Sequence, residues 1–235
     1  MKTIPFFEKI IETLSPLNPR PMKTYRGEDI TQFEKIETEM MIHDMKCFEA
    51  DKLDKIITIK ADIMGGKIVV WGITIVPTDE YPLPLFTSEI VQAVNHLSLR
   101  ADLIPLADLA RDMEYLDKYM VPMEEIWKKY KDIEGIGRER YLWHMVMLSP
   151  FYTFGKVKYD IEDIEEKSLD ITIDYLTLYT KLWAETEKAD PAYMESLNGR
   201  KRSILKTMME KDPGEGPLKK ALGAEKAHKI LSLLF

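Results

Sequence analysis

Between residues 54 and 76 apolar and polar positions alternate in a way that only an extended chain uses. Ile57, Ile59, Ala61 and Ile63 are interleaved with Thr58, Lys60 and Asp62, the period of two of a strand with one buried face. Gly65-Gly66 supplies the turn, and Ile68 to Val76 returns as a second strand. A third strand is predicted over about Leu85 to Ala93, and Asn95-His96 turns it into a fourth over about Leu97 to Ile104. Short links between successive strands favour an antiparallel meander over a βαβ nucleotide fold. A helix from about Pro5 to Leu14 precedes them, stopped by Ser15-Pro16. Beyond Pro105 the period becomes helical, over Leu106 to Tyr119 and Met123 to Tyr130, with a strand at Phe151 to Val157. Ile164, Leu169, Ile173, Leu176, Tyr179 and Trp183 then mark a long amphipathic helix from Ile161 to Glu187. Two last helices, Lys201 to Met209 and Leu218 to Leu233, flank the turn-rich segment Lys211 to Pro217. The pattern predicts an α+β sandwich, a central and largely antiparallel sheet with helices on both faces.

Composition narrows the class. At 235 residues and 45% hydrophobic content the chain builds one substantial core, so a single domain over 1–235 is expected. No run approaches the roughly 18 apolar residues of a membrane span. Glu8, Lys9 and Glu12 interrupt the first apolar stretch, which therefore lacks the features of a secretory signal. The lone Cys47 excludes an internal disulfide and argues against a cysteine-held metal cluster. A cytoplasmic protein bound to no membrane is the expectation. The formal net charge of −7 argues against nucleic acid as a partner. Charge is uneven, though: from Asn198 to Phe235 nine basic residues face four acidic ones. That basic tail is either a solvated helix pair or a docking face for an acidic partner or anionic ligand.

One residue carries the chemical question. Glu89 lies inside the apolar strand that follows the proline-stiffened corner Glu80-Tyr81-Pro82-Leu83-Pro84-Leu85-Phe86. An unpaired charge there costs several kcal/mol, so such a group has a task or a partner. Arg100 on the next strand is the structural partner available to it. Glycine-rich phosphate loops, zinc-protease and serine-hydrolase signatures are absent. His43, His96, His144 and His228 are dispersed without metal-ligand spacing, and the fourteen methionines scatter through helices as core filling. With no motif for a resident redox cofactor, electrons would have to come from another protein.

Several segments together resemble the ferredoxin-dependent bilin reductases. The corner followed by Thr87-Ser88-Glu89-Ile90-Val91 is similar to that family's EY-x-LPLF-xx-D-IV string, with glutamate in place of aspartate. Ala101-Asp102-Leu103-Ile104-Pro105 closes the strand region in the family's order. Trp143 with Ser149-Pro150 is similar to its W-x-x-x-FSP segment, and Lys211-Asp212-Pro213, Leu218 to Gly223 and the terminal Leu233-Leu234-Phe235 to its C-terminal portion. The resemblance implies a three-layer α/β/α sandwich holding an open tetrapyrrole such as biliverdin between the sheet and the C-terminal helices. It also implies ferredoxin as external single-electron donor, no permanently bound cofactor, radical intermediates and a monomer.

Carried over position by position, the resemblance puts Glu89 on the family's proton-donating aspartate and Asp212 on a second carboxylate. Gly72 falls where phycocyanobilin-forming members have a histidine; its neighbour Trp71 alternates to the opposite face. The family's glutamate on the earlier strand falls on Lys60 or Asp62. Arg200, Lys201 and Lys211 are the cations for the two propionates. Against these stand simpler readings: Glu89 as a structural partner of Arg100, Asp212 as a turn residue before Pro213, and the basic residues as solvated. The expected activity is reduction of biliverdin, with Glu89 the preferred donor and Asp212 the second acid. The alternatives are a red-chlorophyll-catabolite-type reductase and a bilin-binding protein without activity.

Overall fold

The computed structural model describes residues 4–137, 139 and 141–235. Among the described residues there are ten strands: β1 (Arg20–Pro21), β2 (Thr24–Tyr25), β3 (Glu28–Asp29), β4 (Lys35–Glu37), β5 (Met41–Ala50), β6 (Leu53–Ile63), β7 (Ile68–Pro77), β8 (Leu85–Ala93), β9 (Leu97–Ile104) and β10 (Thr153–Val157). The helices are α1 (Phe6–Leu14), α2 (Met113–Tyr115), α3 (Glu124–Tyr130), α4 (Leu142–Met145), α5 (Ile164–Glu185), α6 (Pro191–Lys211), α7 (Glu215–Leu222) and α8 (Ala224–Leu234). The main sheet runs β1-β5-β6-β7-β8-β9-β10, with β4 also on β5, and its neighbours pair antiparallel. Among the described residues no helix is long and apolar enough to cross a membrane.

Register decides which side chains meet. Met45 pairs with Ile59, Ile59 with Gly72, Gly72 with Glu89, and Glu89 with Arg100. Directly opposed residues share a face, so this row lies on one side of the sheet. The opposite side carries Trp71, Ile75, Phe86, Ile90 and Leu99, packed with α1 and α5 into the main core. Phe86 meets Tyr179 of α5 at a centroid distance of 5.7 Å, and the Ser88 hydroxyl lies 2.7 Å from that of Thr172. On the Glu89 side α8 lays Ile230, Leu231, Leu233 and Leu234 over Met45, Cys47 and Ile57. Each such aliphatic side chain contributes roughly 1.5–3 kcal/mol when fully buried. The three-layer sandwich follows.

Four differences from the sequence pattern have physical causes. Strand β5, which alternation in Met41-Ile42-His43-Asp44-Met45-Lys46-Cys47 allows, was not among the expected strands. Residues 106–112 are not helical, because backbone carbonyl and carboxylate of Asp108 take the N–H groups of Ala110, Arg111 and Asp112. Helix α6 starts at Pro191, well before the expected Lys201, because Asp190 caps it by accepting from the N–H groups of Ala192 and Tyr193. The expected helix from Leu218 to Leu233 is broken at Gly223, whose φ of +82° is glycine territory, into α7 and α8.

Candidate active site

Between the sheet and the C-terminal helices lies a cavity of about 330 Å³, lined mostly by apolar side chains. Its floor is the row face of β5 to β8, and α6, α7 and α8 contribute Met208, Leu218 and Ile230. Glu89 and Arg100 lie in its wall together with His144 of α4.

Arg100 organises the polar end. Its Nη2 donates to Glu89 Oε1 at 3.1 Å, and its Nη1 lies 2.8 Å from His144 Nδ1 and 3.5 Å from Glu139 Oε2. His144 Nδ1 is also 2.8 Å from that Glu139 oxygen. Exposure falls along the chain of contacts: the Glu89 side chain is 38% exposed, Arg100 18% and Glu139 1%. Burial is the main reason the His144 imidazole titrates below its usual range; Glu139 opposes that shift and Arg100 adds to it. What holds His144 here is a tether between two of the sequence segments noted above. Asp102 of β9, fully buried, accepts from both the N–H and the hydroxyl of Ser149. That fixes the segment leading out of α4 against the sheet.

Asp212 arrives from the other layer, in the turn between α6 and α7, and lines the same cavity. Its carboxylate accepts from the Gly214 N–H at 2.6 Å. Burial first, and then the charge of Glu89, push its pKa up to about 6; the Gly214 hydrogen bond and Arg100 act in the opposite sense. Two carboxyl groups thus line one mostly apolar cavity, and burial raises the Asp212 pKa towards the neutral range.

The expected residues divide clearly. Glu89, Asp212 and Gly72 line the cavity. Lys60, Asp62 and Trp71 do not, because Ile59 rather than Lys60 stands opposite Gly72. Lys60 and Asp62 pair with each other at 3.0 Å on the far face, and Trp71 is buried in the core beneath α1 and α5. Arg200 and Lys201 are anchors: Arg200 donates to the Pro105 carbonyl at 3.1 Å, and Lys201 donates to the Pro77 carbonyl at 2.9 Å and pairs with Asp79. Both lie about three helical turns before Asp212. Lys211 is exposed at the end of α6. Sequence reasoning missed Glu139, His144 and His43, and saw Arg100 only as a structural partner. His144 stands next to the quoted Trp143, whereas nothing in the sequence marks Glu139.

Gly72 is a tight spot. A Cβ there would sit 3.0 Å from Ile59 Cγ1 and 3.6 Å from the Ser88 carbonyl oxygen. Gly72→His alone is therefore expected to lower stability by about 1–3 kcal/mol through overpacking. Ile59→Ala in the same chain should recover part of that loss, which thermal melts of the single and double variants measure.

Fold and site together define an antiparallel sheet covered by helices, with a mostly apolar cavity between them that two carboxyl groups line, one backed by arginine and histidine. The family model for ferredoxin-dependent bilin reductases matches residues 10–235. The chain belongs to this enzyme family. It is 22% identical over 186 residues to a 15,16-dihydrobiliverdin:ferredoxin oxidoreductase of Nostoc punctiforme, covering 79% of this chain and 74% of the relative. It is 26% identical over 230 residues to a phycoerythrobilin:ferredoxin oxidoreductase of Parasynechococcus marenigrum, covering 94% and 86%. Its fold is similar to that of phytochromobilin synthase from tomato, solved in complex with biliverdin. The TM-score is 0.78 at 18% identity, over 96% of this chain and 79% of that one.

Proposed function

We propose that this protein reduces biliverdin or a closely related open tetrapyrrole in the cavity, one electron at a time from ferredoxin, through bilin radical intermediates. The observation that carries this reading is the convergence of Glu89 and Asp212, from opposite layers, on one apolar cavity. Each double bond reduced takes two electrons and two protons. Electrons come from the external ferredoxin, so the chain itself has to supply protons and exclude water.

The two acids divide that work. Asp212, with a pKa near 6, holds a proton within reach of the cavity and gives it to the reduced pigment. Glu89, paired with Arg100 and 38% exposed, is placed to take a proton from solvent and pass it to the pigment, the second of the two that each double bond needs. His144 and Glu139 hold the Arg100 guanidinium in the plane that Glu89 needs. Gly72 lets a flat ring lie close to β7.

The test is anaerobic incubation with biliverdin and a ferredoxin-reducing system, followed by chromatography of the pigment. Consumption of biliverdin with appearance of a reduced bilin supports the reading. A bound pigment whose absorbance survives reduced ferredoxin would leave a binding protein without this activity.

A further inference from the structure

One more polar group faces the cavity and has no role so far. His43 of β5 lines the cavity, is 2% exposed, and its Nε2 has no hydrogen-bond partner among the described residues. Buried polar atoms are almost always satisfied, and leaving one bare works against folding. An imidazole kept unsatisfied in a cavity wall is an atom waiting for a ligand.

Its position is informative. His43 stands opposite Ala61, which pairs with Val70, which pairs with Val91, one row beyond the Glu89 row and three strands away from it. With neighbouring strands about 4.8 Å apart and about 3.4 Å per residue, His43 and Glu89 are separated by roughly 16 Å across the floor. The two residues therefore mark opposite ends of the surface on which a flat molecule would lie. The neighbours of His43 at that end, Met41, Ile63 and Ile68, are apolar. Desolvation there holds the imidazole below its usual pKa, hence neutral near pH 7, with only Asp44 opposing. A neutral imidazole in an apolar corner does not compensate a propionate, whose charge would stay costly. It does match a neutral polar group.

We infer that His43 anchors the distal end of the tetrapyrrole, its Nε2–H donating to the lactam carbonyl oxygen of a terminal ring. This deepens the reading above and depends on it, since the ligand is the same pigment in the same cavity. His43 acts as a positioning residue: it sets which part of the pigment lies under Glu89 and Asp212, and so which bond receives protons.

The experiment compares wild type, His43→Leu and His43→Gln by biliverdin titration followed in the visible band, by melts of the free proteins, and by product analysis with reduced ferredoxin. Loss of one hydrogen bond to the ligand should raise the Kd of His43→Leu about tenfold and shift the bound absorption band. The free His43→Leu protein should melt higher than wild type, because an unsatisfied buried nitrogen is gone. Glutamine, which keeps a donor, should restore part of the affinity. Altered product ratios in His43→Leu would support the positioning role. Unchanged affinity, band and products in His43→Leu would overturn the inference and leave the bilin reading standing. Absence of biliverdin binding by wild type would instead remove that reading and this one with it.

Discussion

Replacing Asp212 by asparagine is expected to lower biliverdin turnover by about 10²–10⁴-fold, the usual contribution of a positioned proton donor, while the pigment still binds. The wild-type pH profile should carry the signature of the same group. A donor must be protonated, so turnover falls as pH rises through about 6, the value to which burial and the charge of Glu89 push this carboxyl. The residual rate of Asp212→Asn should lack that descent. Stability falls with rising pH as well. A folded-state pKa of about 6 against an ordinary 3.8 means that the folded protein binds the proton more tightly than the unfolded chain. Stability therefore declines as pH rises from about 4 to about 6, and Asp212 stays destabilising above that. Asparagine keeps an oxygen for the Gly214 N–H. Asp212→Asn should accordingly gain on the order of 1–2 kcal/mol at pH 7, allowing for partial exposure, and little at pH 4. Melts at the two pH values check this, and a turn residue without chemical work would show the gain but not the lost descent in turnover.

Glu89→Gln is expected to bind biliverdin and to stall after electron delivery, lowering turnover by at least about 10²-fold and leaving a radical that persists in electron paramagnetic resonance. Glutamine fills nearly the same volume and still offers Arg100 an oxygen at the 3.1 Å position, so binding geometry survives while the charge is lost. A linked effect follows from that charge. Glu89 is the second cause of the raised Asp212 pKa, after burial, so Glu89→Gln should bring the Asp212 value down from about 6. A carbon NMR titration of the Asp212 carboxyl measures it. Normal turnover by Glu89→Gln would remove this residue from the chemistry, and an unmoved Asp212 titration would deny that the two acids sense each other across the cavity.

Much of this arrangement was legible in the chain, and the failures share one cause. The alternation of Ile57, Ile59, Ala61 and Ile63 revealed a strand with one buried face, and Gly65-Gly66 gave its turn, as β6 and β7 confirm. Glu89 was conspicuous because a carboxylate among Ile90, Val91 and Phe86 is locally anomalous. Lys60 and Asp62 were misassigned by one residue of register. In a period-two structure that error exchanges the faces completely. Arg200 and Lys201 were assigned by charge type, but their length serves to tie α6 to the carbonyls of Pro105 and Pro77. His43 and His144 looked scattered because their neighbours in space lie on other strands and in another layer.

Local physics written along the chain determined the antiparallel meander, the helices that cover it and the anomaly of Glu89. Those depend on periodicity, turn chemistry and the cost of charge in an apolar strand, all of which act between near neighbours. Tertiary structure alone decided that Glu89, while paired with Arg100, still faces the cavity, and that Asp212 meets it from the far layer with its pKa raised. It also decided that Asp102 pins Ser149, and that the His43 imidazole, its Nε2 unpartnered among the described residues, stands at the other end of the floor. Burial and through-space charge set these properties, and both depend on which distant segments the packing brings together.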